Sequence, residues 1–391
     1  MEKNDLQSPE IQFALELIQF SAEMAYRIRG ETSVKAILKP DHSPVTLADL
    51  SIQAIAGALL DQYLPDAVMV AEEDADYLRT PEGADDLEKI TGYVHSFFPH
   101  ARPDRVSRWI ERGNPHSPSK NLKVNGASPN TNQFPRSGDW GNPDCPQGKE
   151  NKSQDSPGNL ELKENGCQER GKPCGSFWTL DPIDGTKGFL RGGQYVTALA
   201  FIQDGQVEMA AIGCPELELQ EHKALGKGVG IFAARGRGCH AFALEDIEDP
   251  KRWVRLKVSS CQEILWARQL DSLELAHKHS EKDRRIREVL GLQAEPIMMD
   301  SMAKHVVLAS GGAEIFFRTL PRKDPVRREK IWDVAAGALA IEEAGGCVTD
   351  LEGRALDFGA GLTLARNPGL VATNGIFHDA VLTALQEAKT L

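Results

Sequence analysis

A chain of 391 residues with a formal net charge of -12 at pH 7 is long enough for two or three domains, and its acidity argues against a general electrostatic grip on nucleic acid or on an anionic membrane. Any anionic substrate must then be met by a local positive charge or by a metal. No apolar run reaches the length of about 18 residues that a membrane span needs, the opening MEKNDLQSPE does not read as a leader, and the seven cysteines contain no CxxC pair, so the expectation is a reduced, cytoplasmic protein without structural zinc.

In chain order, apolar residues at helical spacing (Ile11, Ala14, Leu15, Ile18, Ala22, Ala25) predict an amphipathic first helix. A second helix is expected from Thr46 through Leu60, stopped by Pro65, followed by a short buried strand over 67–71 that delivers Glu72-Glu73-Asp74. Between Gly113 and Gly175 the composition turns to Pro, Gly, Asn, Ser and Lys, which reads as a disordered or loosely packed insertion. Order returns at Phe177–Leu180, a strand feeding DPIDGT at Asp181 to Thr186. A hairpin over 195–212 turns at Asp204-Gly205, and two more strands near 232–234 and 239–243 continue the same antiparallel sheet. Gly226 to Gly230 lacks the GxGxxG spacing and reads as turn glycines. After Lys257 helices are expected near 282–290, 302–310, 333–344 and 377–389, with a strand at 313–318. The pattern divides into an α+β N-terminal domain (1–257) and an α/β C-terminal domain (258–391).

DPIDGT places two carboxylates, Asp181 and Asp184, around a proline-fixed turn, with the Ile183 carbonyl between them. A hard divalent cation seeks such a group of oxygens. Gly185, Thr186 and Lys187 then open a helix whose N–H groups suit a phosphate. Asp-Pro and Asp-Gly are also ordinary turn formers, and Thr186 an ordinary cap. Glu72 at a strand end and Asp333 at a helix start share the same logic, although Asp333 also reads as an N-cap. Asp49 reads locally as the partner of Thr46 in a capping box. Lys304 and Arg318 read as solvated surface charges, with Arg318 also suited to bidentate phosphate recognition.

Taken together, Glu72-Glu73 after a strand, DPIDGT followed by KGFLRGGQY, and IWDVAAG from Ile331 with EAGG from Glu343 resemble the three motifs of the lithium-sensitive inositol monophosphatase superfamily. Within it, KGFLRGGQY and SPVTLAD at 43–49 are similar to the 3′(2′),5′-bisphosphate nucleotidases. The resemblance implies a layered αβαβα sandwich of the inositol monophosphatase and sugar phosphatase type. It implies two or three Mg2+ ions on Glu72, Asp181, Ile183, Asp184 and Asp333, with Thr186 passing the proton of the attacking water toward Asp49. Substrate contacts are implied for Gly185, Thr186, Asp333, Ser301, Lys304 and Arg318. His279, in a stretch that departs from the family's Ser-Ser-His arrangement, is the candidate for the base. The implied activity is hydrolysis of adenosine 3′,5′-bisphosphate to AMP, with 3′-phosphoadenylyl sulfate a second substrate, in sulfur assimilation, by a monomer without nucleic-acid or membrane partners. Inositol phosphates are the rival substrates, and a non-catalytic nucleotide-binding regulator is the rival from another class.

Overall fold

The computed structural model describes residues 5–31, 36–38, 44–114, 175–273, 281–319 and 327–390. Most of the expected insertion, the His279 stretch and Ser43 lie outside the described residues. Helix α1 (Pro9–Arg29) begins earlier than its apolar spacing alone suggests, because Ser8 accepts the Ile11 amide at 3.2 Å and Pro9 is preset for a first turn. Strands β1 (Ala36–Leu38) and β2 (Pro44–Thr46) form a small antiparallel pair that runs into α2 (Leu47–Tyr63). After β3 (Met69–Ala71) come α3 (Ala84–His95) and α4 (Pro103–Glu111), two helices not expected from the sequence. Their signal was present in the helical spacing of Leu87, Ile90 and Val94 and of Val106, Trp109 and Ile110.

The next elements are β4 (Ser176–Asp184), α5 (Thr186–Arg191), β5 (Val196–Gln203), β6 (Gln206–Glu218), β7 (Lys227–Ala234), β8 (Gly238–Ala243) and β9 (Val254–Arg255). With β3 they form one sheet in the order β3-β4-β5-β6-β7-β8-β9, antiparallel except for the β3/β4 pair. The hairpin turn falls where expected, with Asp204 and Gly205 at φ 52° and 81°, both positive as a tight hairpin turn requires. The glycines at 226–230, expected as turns, instead lead into and through β7.

A second sheet is built from β10 (Gln269–Asp271), β11 (Ile297–Met298), β12 (Ile315–Arg318), β13 (Cys347–Thr349) and β14 (Leu370–Thr373), in the order β11-β10-β12-β14-β13. It is mixed: β10, β11 and β12 run parallel, and β14 pairs antiparallel with β12 and β13. Its helices are α6 (Glu281–Leu290), α7 (Ala303–Ala309), α8 (Ala335–Glu343) and α9 (His378–Thr390). Alternation along β5 sends Leu199 into a core under α1 and α2, and Val196, Ala198 and Ala200 into a core shared with α7, α8 and the second sheet. Ile286, Ile315, Val371 and Leu385 make a third core beneath α6 and α9. The result is an αβαβα sandwich. Among the described residues no helix is long and apolar enough to cross a membrane.

Candidate active site

Strands β3 and β4 pair with Ala71 beside Leu180, and the Glu72 amide donates to the Leu180 carbonyl at 3.2 Å. That register brings Glu72 alongside Asp181. The β4/β5 ladder is irregular between Asp181 and Asp184, where Pro182 cannot donate. The Thr197 hydroxyl holds the irregularity by donating to the Pro182 carbonyl at 2.8 Å. Asp181 is buried, with its Oδ1 lacking a hydrogen-bond partner. Burial drives its carboxyl well above the usual range, helped by the charges of Glu72, Asp184, Asp333 and Asp49. Asp333 is raised by burial and by Asp184, Glu72 and Glu329, with Arg318 opposing. Asp184 is also raised by burial, but Lys304, the Met302 amide and Arg318 counter the effect.

These mutual influences define one cluster of acids drawn from α2, β3, β4 and the turn before α8. Asp333 is not the cap of that helix, which starts two residues later at Ala335 behind Val334. The helix was expected to begin at Asp333; the tight turn closed by the Asp333 amide on the Lys330 carbonyl delays it. Among the described residues no three acids, imidazoles or thiols close to ligand distance around a single point. Like charges in a buried cluster oppose such closure. A buried acceptor without a partner is costly, and an oxygen-only set around it fits a hard divalent cation.

Asp49, 1 % exposed, completes the capping box: its Oδ2 accepts from the Thr46 amide at 2.8 Å and the Thr46 hydroxyl at 2.6 Å. Its charge also contributes, least among the neighbours, to raising the Asp181 carboxyl. Thr186, expected to pass a proton toward Asp49, does not point its hydroxyl at Asp49 in this structure. The Thr186 hydroxyl donates instead to the Ile183 carbonyl at 3.0 Å, the acceptor offered by its own turn. Gly185, at φ 89°, precedes Thr186 at the start of α5.

Lys304 is 2 % exposed and donates to the Met299 carbonyl at 3.1 Å, with its ammonium 5.8 Å from the centre of the Phe316 ring. Burial and Arg318 push its pKa down to about 8, against the pull of Asp184 and Asp300. A solvated surface lysine does not have such surroundings. Arg318, half-buried at the end of β12, pairs with Glu329, which with Asp333 and Asp184 favours its charged form. Ser301, at φ 62°, accepts the Ala303 amide at 3.2 Å. Acids and cations therefore meet around Asp184.

Three residues near the cluster had no role in the sequence reading. Gln53 is fully buried one helical turn beyond Asp49. Its Nε2 donates to the carbonyls of Glu73 (2.5 Å) and Ile110 (2.9 Å), and its Oε1 accepts the Glu73 amide at 3.0 Å, fixing the backbone beside Glu72. The i, i+4 spacing from Asp49 was the available signal. Glu329 and Arg191 gave none, since their partners Arg318 and Asp300 are distant or on another sheet.

The model of the inositol monophosphatase family matches residues 149–390. A 3'(2'),5'-bisphosphate nucleotidase of Schizosaccharomyces pombe is 32% identical over 357 residues, covering 90% of this chain and 87% of that protein. One from Oryza sativa is 35% identical over 361 residues, covering 90% and 86%. Among solved structures, an IMPase of Thermotoga maritima superposes with a TM-score of 0.56 at 16% identity, covering 97% of this chain and 98% of the other. CysQ from Bacteroides thetaiotaomicron, described as a bacterial member of the inositol monophosphatase family, gives 0.50 at 15% identity, covering 93% and 96%. These two likenesses speak to the fold.

Proposed function

The chain belongs to the inositol monophosphatase family, and from that premise we infer that it is a magnesium-dependent 3′(2′),5′-bisphosphate nucleotidase, a phosphoric monoester hydrolase. It removes the 3′-phosphate of adenosine 3′,5′-bisphosphate, giving AMP and phosphate, and accepts 3′-phosphoadenylyl sulfate as a second substrate. The observation that carries this reading is the meeting of two unlike sets at Asp184: acids on one side, and the buried Lys304 with Arg318 on the other. A substrate with two phosphates needs both. The relatives from fission yeast and rice, matched over nine-tenths of the chain, support the same activity.

Glu72, Asp181, Asp184, Asp333 and the Ile183 carbonyl would hold two or three Mg2+ ions, which when bound supply Lewis-acid charge for an in-line displacement and an activated water. The chain's own groups supply the rest. Thr186, on turning from the Ile183 carbonyl, would relay a proton to Asp49. The amides of Gly185 and Thr186 would donate to the reacting phosphate. Ser301, Lys304 and Arg318 would grip the 5′-phosphate, with Asp333 bordering the substrate and His279 beside the base. On this reading the protein works in the cytoplasm as a monomer on a small-molecule nucleotide. Its charge of -12 supports the absence of a nucleic-acid partner.

Phosphate release with magnesium from adenosine 3′,5′-bisphosphate, 3′-phosphoadenylyl sulfate and inositol 1-phosphate tests the proposal. The nucleotides should exceed inositol phosphate in kcat/KM by about tenfold or more. Equal or faster turnover of inositol 1-phosphate would overturn the nucleotidase assignment.

A further inference from the structure

The turn at residues 300–302, between β11 and α7 of the second sheet, docks on the first-sheet segment that carries Asp184. The Met302 amide donates directly to Asp184 Oδ2. Two residues earlier in the turn, Asp300 Oδ2 lies 2.7 Å from Arg191 Nη2 at the far end of α5. Asp300 is nearly enclosed, its side chain 6 % exposed, while that of Arg191 is 50 % exposed. The surfaces between these contacts are in close approach. A Cβ on Gly185 would lie 2.8 Å from the Ser301 Cβ, and one on Gly188 would lie 3.1 Å from Asp300 Oδ2. Residues 185, 188 and 191 stand three apart, so one side of this short helix receives the turn. Ser301 adopts φ 62°, a left-handed conformation unfavourable for a non-glycine residue that persists only where surrounding contacts enforce it. The same turn fixes Lys304, whose ammonium donates to the Met299 carbonyl.

We infer that Asp300 and Arg191 form a positioning pair that clamps the 300–302 turn onto α5 and thereby orients the Asp184 carboxylate for cation binding. Neither residue need touch substrate or metal. Their ion pair is a charged contact between the turn and α5, and the Met302 amide transmits the position to Asp184. Removing either partner frees the turn, so the Asp184 oxygen that accepts from Met302 loses its fixed direction. The inference rests on the reading of Asp184 as a magnesium ligand, but not on the identity of the nucleotide.

Magnesium titrations by calorimetry on the full chain, as wild type, Arg191→Met, Asp300→Asn, the double variant and Arg191→Lys, test the pair without turnover. Each single variant should bind magnesium about tenfold more weakly, the size expected when the support of a metal ligand is removed. The double variant should be no worse than the weaker single, and Arg191→Lys should recover part of the loss. At saturating magnesium, kcat should stay within about threefold of wild type. Single variants whose magnesium affinity stays within about twofold of wild type, or losses that add in the double variant, would overturn the inference. Wild-type protein that binds magnesium but hydrolyses no bisphosphate nucleotide refutes the proposed function while the test of the pair proceeds. Wild-type protein that binds no magnesium refutes both.

Discussion

The acids of the site come chiefly from neighbouring strands of the first sheet, where Glu72 and Asp181 stand side by side at the ends of β3 and in β4. The cations come from the second sheet, Lys304 from the start of α7 and Arg318 from the end of β12, and meet the acids only through the packing of the two sheets. The acidic side is crowded and under-compensated, with Asp181 and Asp333 both driven toward the protonated state. The cationic side is already paired, Arg318 with Glu329 and Lys304 with a backbone carbonyl. One side is built to receive positive charge, and the other has its positive charge held in place before any ligand arrives.

Substitutions on the two sides should therefore fail differently. If Asp184 holds magnesium as proposed, Asp184→Asn should lower kcat by about two decades or more with the fold retained, by removing an oxygen and its charge from the acidic side; phosphate release and circular dichroism together check this. Lys304→Met should act mainly on binding, raising KM by roughly ten- to hundredfold, the weight of a hydrogen bond to a charged group, while kcat changes far less. With Lys304 pushed down to about 8, the wild-type KM should rise as pH increases through that value and the ammonium loses its proton. In Lys304→Met that rise should vanish.

Smaller effects probe the framework beneath. Gln53→Leu leaves the Glu73 amide and carbonyl and the Ile110 carbonyl without their partner, and should cost about 2–4 kcal/mol in urea unfolding. It should also raise the magnesium concentration needed for half-maximal rate, since Glu72 adjoins the freed backbone. A last probe is an acid-side loss of stability. His378 is buried between the Thr349 and Thr373 hydroxyls at 2.9 and 3.0 Å, and burial lowers its pKa from 6.5 to about 4. The unfolded imidazole takes up a proton more readily than the folded one, so this contribution is complete above pH 6.5 and declines as pH falls toward 4. His305, lowered to about 3 by burial and by Arg318 and Lys304, acts in the same direction. Urea midpoints measured across that range should fall, and His378→Gln should flatten part of the slope.

The same contrast explains what could be read from the chain before its structure. DPIDGT carries its turn, its acids and its helix start within six residues, so its local geometry was legible. Thr46 and Asp49 were equally clear as a capping box because that device is closed within four residues. The direction of the Thr186 hydroxyl was not legible, because choosing between Ile183 and Asp49 depends on how α2 sits against β4. Lys304 gave no sign of burial, since its surroundings include Phe316 and Asp184, which only the folded sheets bring near. The helices at 84–95 and 103–111 were missed for a different reason: their apolar spacing was adequate, but short helices rich in charge offer weak patterns.

The central claim is that carboxylates separated in the chain share one cation-binding cavity around Asp181. Thermal unfolding of wild type and Asp181→Asn at pH 7, with chelator and with magnesium, addresses it most directly. Because the Asp181 carboxyl is raised by burial and by its acidic neighbours, its ionised form opposes folding at that pH, and the amide should raise the metal-free Tm. Magnesium should then stabilise wild type and leave Asp181→Asn nearly unmoved. A variant that is less stable than wild type in chelator yet gains the full wild-type increment from magnesium would contradict the account.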